Sequence, residues 1–172
     1  MKWYMLSLTG EDQPGIVARV TTALFEAGCH LGETAMMRLG GNFSMMLMLS
    51  SDKQADQLQA ALADTVSDMG LHVHIDEFEG HLHQHQIPDV RITVYGADRA
   101  GIVSRVTSAL AESGLNILDL ESDVAGTEEE PIYIMMIEGQ ALEGIERLEE
   151  TQRVLEQEAI EVKVSPVQTL IG

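Results

Sequence analysis

Gly10-Glu11-Asp12-Gln13-Pro14-Gly15-Ile16-Val17-Ala18-Arg19-Val20-Thr21-Thr22-Ala23-Leu24 returns 86 residues later as Gly96-Ala97-Asp98-Arg99-Ala100-Gly101-Ile102-Val103-Ser104-Arg105-Val106-Thr107-Ser108-Ala109-Leu110. Extended to Leu31 and Ile117, the two stretches share 12 identities in 22 positions. Further on, Phe43-Ser44-Met45-Met46-Leu47 resembles Tyr133-Ile134-Met135-Met136-Ile137 at an offset of 90. The change of offset falls in the acidic segment between Val124 and Pro131, where extra loop residues cost little closure entropy. Similarity in the same order over both stretches identifies a tandem duplication, and a repeat of this kind organises all that follows.

Each half reads as strand, helix, strand, strand, helix, strand. Leu6 and Leu8 alternate with Ser7 and Thr9, as Ile92 and Val94 do with Thr93 and Tyr95, so each half opens with a strand that has one apolar face. Ile16, Val20 and Leu24, like Ile102, Val106 and Leu110, recur every four residues, the apolar stripe of an amphipathic helix. Asp12 and Asp98 are expected to cap those helices at the start, and Gly28 and Gly114 to end them in the left-handed conformation. Leu31–Leu39 and Phe43–Leu49, joined by Gly40-Gly41-Asn42, predict a hairpin. Asp52 is expected to open a second helix carrying Leu58, Leu62, Val66 and Met69, with Leu142, Ile145, Leu148 and Leu155 in its counterpart. Leu71–Phe78 and Ile160–Val164 read as the closing strands.

That order predicts an α+β chain of two ferredoxin-like βαββαβ modules, each a four-stranded antiparallel sheet with two helices on one face. The domains are expected at residues 1–79 and 89–172, separated by a polar, His-rich linker at 80–88. The other sheet face is left uncovered, yet Met45-Met46-Leu47-Met48-Leu49 and Ile132–Ile137 are apolar on both sides. Contact between the halves or dimerisation would cover them, and ten methionines suit an adaptable interface. Packing within each half is the simpler alternative.

Composition bounds the function. The 172 residues are 45% hydrophobic and 22% charged, as in ordinary globular domains. The 28 acidic against 10 basic side chains give a net charge of −18, which opposes direct binding to nucleic acid or anionic membranes. No apolar run approaches the roughly 20 residues of a membrane span. No apolar leader follows Met1, and a single cysteine permits no internal disulfide, so a reducing, cytoplasmic setting is expected.

Asp-x-x-Gly-Ile-Val stands twice between a strand end and a helix start. Glycine admits close backbone approach, and a helix N-terminus offers unpaired amides to a carboxylate. A free amino acid would bring that carboxylate together with an ammonium, for which Asp12, Asp98 and Asn116 are candidate acceptors. Capping and tight turning explain the same residues without a ligand.

On Asp12–Val17, Asp98–Val103, and the passages Gly28-Cys29-His30-Leu31 and Gly114-Leu115-Asn116-Ile117, each half resembles the ACT domain, a small regulatory module of amino-acid metabolism. The resemblance covers nearly the whole chain. The tandem arrangement, with Met36–Phe43, looks most like the glycine cleavage system transcriptional repressor group. It implies paired modules that sense a small amino acid, glycine or serine, at module interfaces, and control of glycine cleavage genes through a DNA-binding regulatory protein. It also implies a homo-oligomer, no enzymatic activity and no cofactor. Ligand-binding positions carry over to Asp98, Gly101, Ile102, Asn116 and Ile117, and to Asp12, Gly15, Ile16, His30 and Leu31. Gln13 replaces the common Arg, Ala100 the common Pro, and His30 stands where the second half has Asn116, which favours the second half as the working pocket. A ligand-free interaction subunit built on paired modules is the alternative.

Other constellations carry less. His81, His83 and His85 alternate in the linker beyond His72 and His74 and could converge on Zn²⁺, or simply be solvated. Cys29 and His30 are adjacent on a strand and so point to opposite faces, which fits a buried thiol better than a nucleophile–base pair. The Glu-rich second helix of the second half and Glu128–Glu130 are solvated faces or a dock for a basic partner. No phosphate loop, nucleophile elbow or zincin motif is present.

Overall fold

In the computed structural model, residues 1–79, 86–97, 100–127 and 131–167 are described. The chain divides into two compact units, Met1–His83 and Gln84–Gly172.

The first unit runs β1 (Lys2–Glu11), α1 (Ile16–Glu26), β2 (His30–Leu39), β3 (Asn42–Ser51), α2 (Ala55–Asp68) and β4 (His72–Phe78). The second repeats it with β5 (Val90–Ala97), α3 (Ile102–Glu112), β6 (Leu115–Gly126), β7 (Pro131–Ala141), α4 (Ile145–Gln157) and β8 (Glu161–Pro166). The sheets have the orders β2-β3-β1-β4 and β6-β7-β5-β8, antiparallel throughout. This is the ferredoxin-like arrangement read from the sequence, an α+β chain of two four-stranded modules.

Period-two alternation fixes the register, because a slip by one residue would turn every apolar side chain outwards. Leu6 lies opposite Leu47 and Ile75, and Ile92 opposite Ile137 and Val164. Those side chains face the helices. Ile16, Val20 and Leu24 of α1 and Leu58 and Leu62 of α2 close the first core; Ile102, Val106, Leu110, Leu148 and Leu155 close the second. Each unit therefore has its own core, including Cys29 in the first. The opposite faces remain open: Met46 and Met136, one residue from buried Leu47 and Ile137, are 50% and 45% exposed. Packing within each unit accounts for one side of β3 and β7 and not for the other.

The starts of the helices differ from expectation. Asp12 does not cap α1. The residue before the helix is Gly15, at φ 90°, and no side chain bonds the first turn; Gly101 holds the same place before α3 at φ 88°. A positive φ is open to glycine at little cost, and space is no constraint, since nothing lies within 4 Å of where a Cβ would stand at either position. Nor does Asp52 open α2. That helix begins after Gln54, whose amide donates to Gln57 Oε1 at 2.9 Å, while Asp52 pairs with the Met1 ammonium at 2.9 Å. Leu142 precedes α4 and is exposed.

The edge strands are the least covered elements. All ten residues of β2 are exposed, and a bulge interrupts its pairing to β3 between Leu31 and Thr34. A similar irregularity lies between Ile117 and Asp119 on β6.

Candidate functional site

The loop from β1 to α1 is pinned at several points. The Asp12 amide donates to Gly41 O at 2.9 Å, tying the loop to the hairpin turn between β2 and β3. Gln13 Nε2 donates to Met69 O at 2.8 Å, where α2 ends. Gln13, in the place of the arginine expected from the resemblance, thus acts as a structural tether. Gly15 O accepts from the Arg19 amide at 3.0 Å as α1 begins.

This leaves the first amides of α1 without carbonyls behind them and without a capping side chain. In front of them is a hollow of about 540 Å³, lined among others by Asp12, Gln13, Gly15, Ile16, Met36 and Arg38. The Asp12 carboxylate is ion-paired with the Arg38 guanidinium. The hollow so combines a carboxylate, a guanidinium and the positive end of a helix, over an apolar floor to which Met36 contributes. That inventory matches a zwitterion: an ammonium for Asp12, a carboxylate for Arg38 or the helix amides.

Of the first-unit positions expected from sequence, Asp12, Gly15 and Ile16 come together at this hollow. His30 and Leu31 do not line it; both are exposed at the start of β2. The part of β2 that reaches the loop is Met36 and Arg38, to which sequence reasoning gave no role.

In the second unit, Gly101 and Ile102 take the matching place at the start of α3, Gly101 O accepting from the Arg105 amide at 2.9 Å. Asp98 lies outside the described residues. Asn116 is half-buried at the start of β6, and its Nδ2 donates to Gln86 Oε1 at 3.1 Å and to Gln140 Oε1 at 3.4 Å. Ile117 beside it is partly exposed. The position across the hairpin that corresponds to Arg38 is Val124: Arg38 lies opposite Phe43, and Val124 opposite Tyr133. The two loops therefore differ in charge as well as sequence.

Because Arg38 is largely exposed, its pair with Asp12 contributes little to folding. Arg38→Ala is expected to change unfolding free energy by less than about 1 kcal/mol in a urea titration; a larger loss would make the pair a structural element.

The remaining candidates are placed as follows. His74 pairs with Asp76 at 3.0 Å on β4. His81, His83 and His85, and Glu128–Glu130, lie outside the described residues. Among the described residues no cluster of three or more His, Cys, Asp or Glu is arranged to hold a metal, and no helix is long and apolar enough to cross a membrane.

Known proteins add an independent comparison. Residues 4–76 and 90–157 each match the ACT domain. A UPF0237 protein of Corynebacterium diphtheriae is 31% identical over 74 residues, 41% of this chain and 83% of its own length. A UPF0237 protein of Listeria monocytogenes is 31% identical over 78 residues, 44% of this chain and 88% of its own. Among solved structures, an unknown protein from Galdieria sulphuraria superposes with a TM-score of 0.76 at 24% identity, covering 97% of this chain and 99% of its own. A candidate glycine cleavage system transcriptional repressor superposes with a TM-score of 0.69 at 16% identity, covering 98% of both chains. At those identities the two structures share the fold.

Proposed function

The chain belongs to the ACT-domain family, and from that premise we propose that it is a non-enzymatic, amino-acid-responsive regulator that acts by protein contact. The observation that carries this reading is the hollow before α1, where Asp12, Arg38 and the free helix amides offer complementary charge to a zwitterion. A small effector such as glycine or serine would shift the population of two packings, and a partner would discriminate between them.

The partner proposed is a DNA-binding regulatory protein through which glycine cleavage genes are controlled in the cytoplasm. Two features support it: the full-length likeness in fold to the candidate repressor, and the net charge of −18, which disfavours direct contact with DNA. Effector binding is proposed at both loops, with Asp12, Gly15 and Ile16 in the first unit; His30 and Leu31, which do not line that hollow, are left out of the proposed first-unit site. The second-unit set of Asp98, Gly101, Ile102, Asn116 and Ile117 is proposed as the principal site. The domains are proposed as residues 1–79 and 89–172 with a linker at 80–88, and the protein as a homo-oligomer.

The test is a thermal-shift panel of the common amino acids on metal-free protein, confirmed by calorimetry. A specific effector at 100 times its dissociation constant adds about 2.7 kcal/mol of stability. A response to glycine or serine is the expected result; a flat panel overturns the sensor reading and leaves the ligand-free interaction subunit. For the site, Asn116→Ala is expected to weaken the effector at least tenfold while the cost to folding stays near 1 kcal/mol. Unchanged affinity would move the principal site out of the second unit.

A further inference from the structure

We propose that the helix-free face of the first unit's sheet is the surface on which two copies of this chain associate, face to face about a two-fold axis. Registered pairing places Trp3, Met5, Met46, Met48, Met37 and Phe78 on that face, opposite in sense to the buried row of Leu6, Leu47 and Ile75. The Trp3 ring extends across it towards β2, so that a Cβ at Gly32 would stand 3.6 Å from its Cζ3. An indole and four thioethers form an apolar, adaptable surface, the kind that supplies the anchored centre of an interface.

The charge pattern says what can cover it. Between Trp3 and Thr9 the registered positions of this face hold one carboxylate, Asp76, and it lies 3.0 Å from His74. The equivalent face of the second sheet has a different chemistry: Asp119, Glu121, Asp123, Glu138 and Glu161 stand there against Arg91 and Lys163. Covering the apolar face with such a surface would strip water from unpaired carboxylates, at a cost that the burial of methionine does not offset. A chain of net charge −18 has few uncharged surfaces to offer. The same face on a second copy meets the requirement. Two-fold contact sets a patch against itself, so a patch whose registered positions hold a single carboxylate meets little like charge in its own image, and two twisted sheets packed in this way form a layer about 10 Å thick. The remaining charges of two like molecules repel through solvent, so added salt strengthens the association by screening.

This names a surface for the self-association proposed above and needs no effector, so its failure would leave the amino-acid reading to its own titration. The experiment is sedimentation of the full chain over a dilution series, with emission of its one tryptophan as a second readout. Expected are a dimer that dissociates on dilution, a red shift of Trp3 emission as it does so, and a tighter dimer at higher salt. Met46→Glu, and Met37→Glu on the edge strand as a second variant, are each expected to weaken the dimer at least tenfold with unchanged circular dichroism. Met136→Glu, the equivalent of Met46 in the second unit, is expected to dimerise as the parent does. A parent that stays monomeric at every concentration overturns the proposal. So does a dimer that withstands both first-unit substitutions, or one that Met136→Glu disrupts equally.

Discussion

Gly139→Val is expected to lower the unfolding free energy by about 3 kcal/mol, read as an earlier urea midpoint for the second unit. Gly139 sits on β7 directly opposite Ile117, where the pairing of β6 becomes irregular. A Cβ there would collide with the Asn116 carbonyl oxygen and stand 3.0 Å from Leu115 Cδ1. The first contact is with backbone, which cannot rotate away as a side-chain tip would. Strand β6 would have to move off β7, straining the register on both sides of the irregularity. The equivalent position in the first unit is Leu49, a fully buried core residue. The duplicated sheet has resolved the same crowding differently: in the first unit the small residue is Gly32 on the edge strand, where a Cβ would meet Met48 O at 3.2 Å. An unchanged midpoint for Gly139→Val would mean that β6 is free to shift. Asn116 would then be a poor candidate for a rigid binding residue.

That pair of glycines marks where sequence reading stops. The element order was legible because one pattern appears twice, and because Leu6/Leu8 and Ile16/Val20/Leu24 carry unambiguous periods of two and about four. The left-handed ends at Gly28 and Gly114, at φ 77° and 79°, were legible from residue type. The helix starts were not. Asp12 and Asp52 are good caps by propensity, but capping depends on which residue turns the chain, and that turn falls at Gly15 and Gln54.

The candidate site divides along the same line. Its loop was visible as Asp-x-x-Gly-Ile-Val, whereas Arg38 and Met36 were not assigned a role. They lie on β2, an edge strand exposed on both faces, where no apolar alternation reports which side chains turn towards the loop. The bulge between Leu31 and Thr34 then shifts the phase of everything beyond it. The signal the sequence did carry was charge, a cation two residues before the Gly40-Gly41 turn; that this turn is bonded to Asp12 emerges only in the fold.

Leu47→Ala and Met46→Ala, one residue apart, are expected to separate folding from assembly. Leu47 is 1% exposed, in register with Leu6, and belongs to the first core. Truncating it removes buried methyl groups and leaves a void that the surrounding close-packed side chains fill only in part. The cost is about 2–5 kcal/mol, and each kcal/mol lowers the melting temperature of a domain this size by about 4–8 °C. The loss is expected at every protein concentration, because the core exists in each copy alone. Met46 points to the other face and is half exposed, so in a dilute monomer its truncation is expected to change stability by no more than about 0.5 kcal/mol. At concentrations where copies associate, the same substitution removes a thioether from the proposed contact and lowers the melting temperature, because association stabilises by mass action. The discriminating quantity is the concentration dependence. A Met46→Ala effect as large in the dilute protein as in the concentrated one would mean that this face is already packed within a single chain, and the apolar surface would need no second copy to cover it.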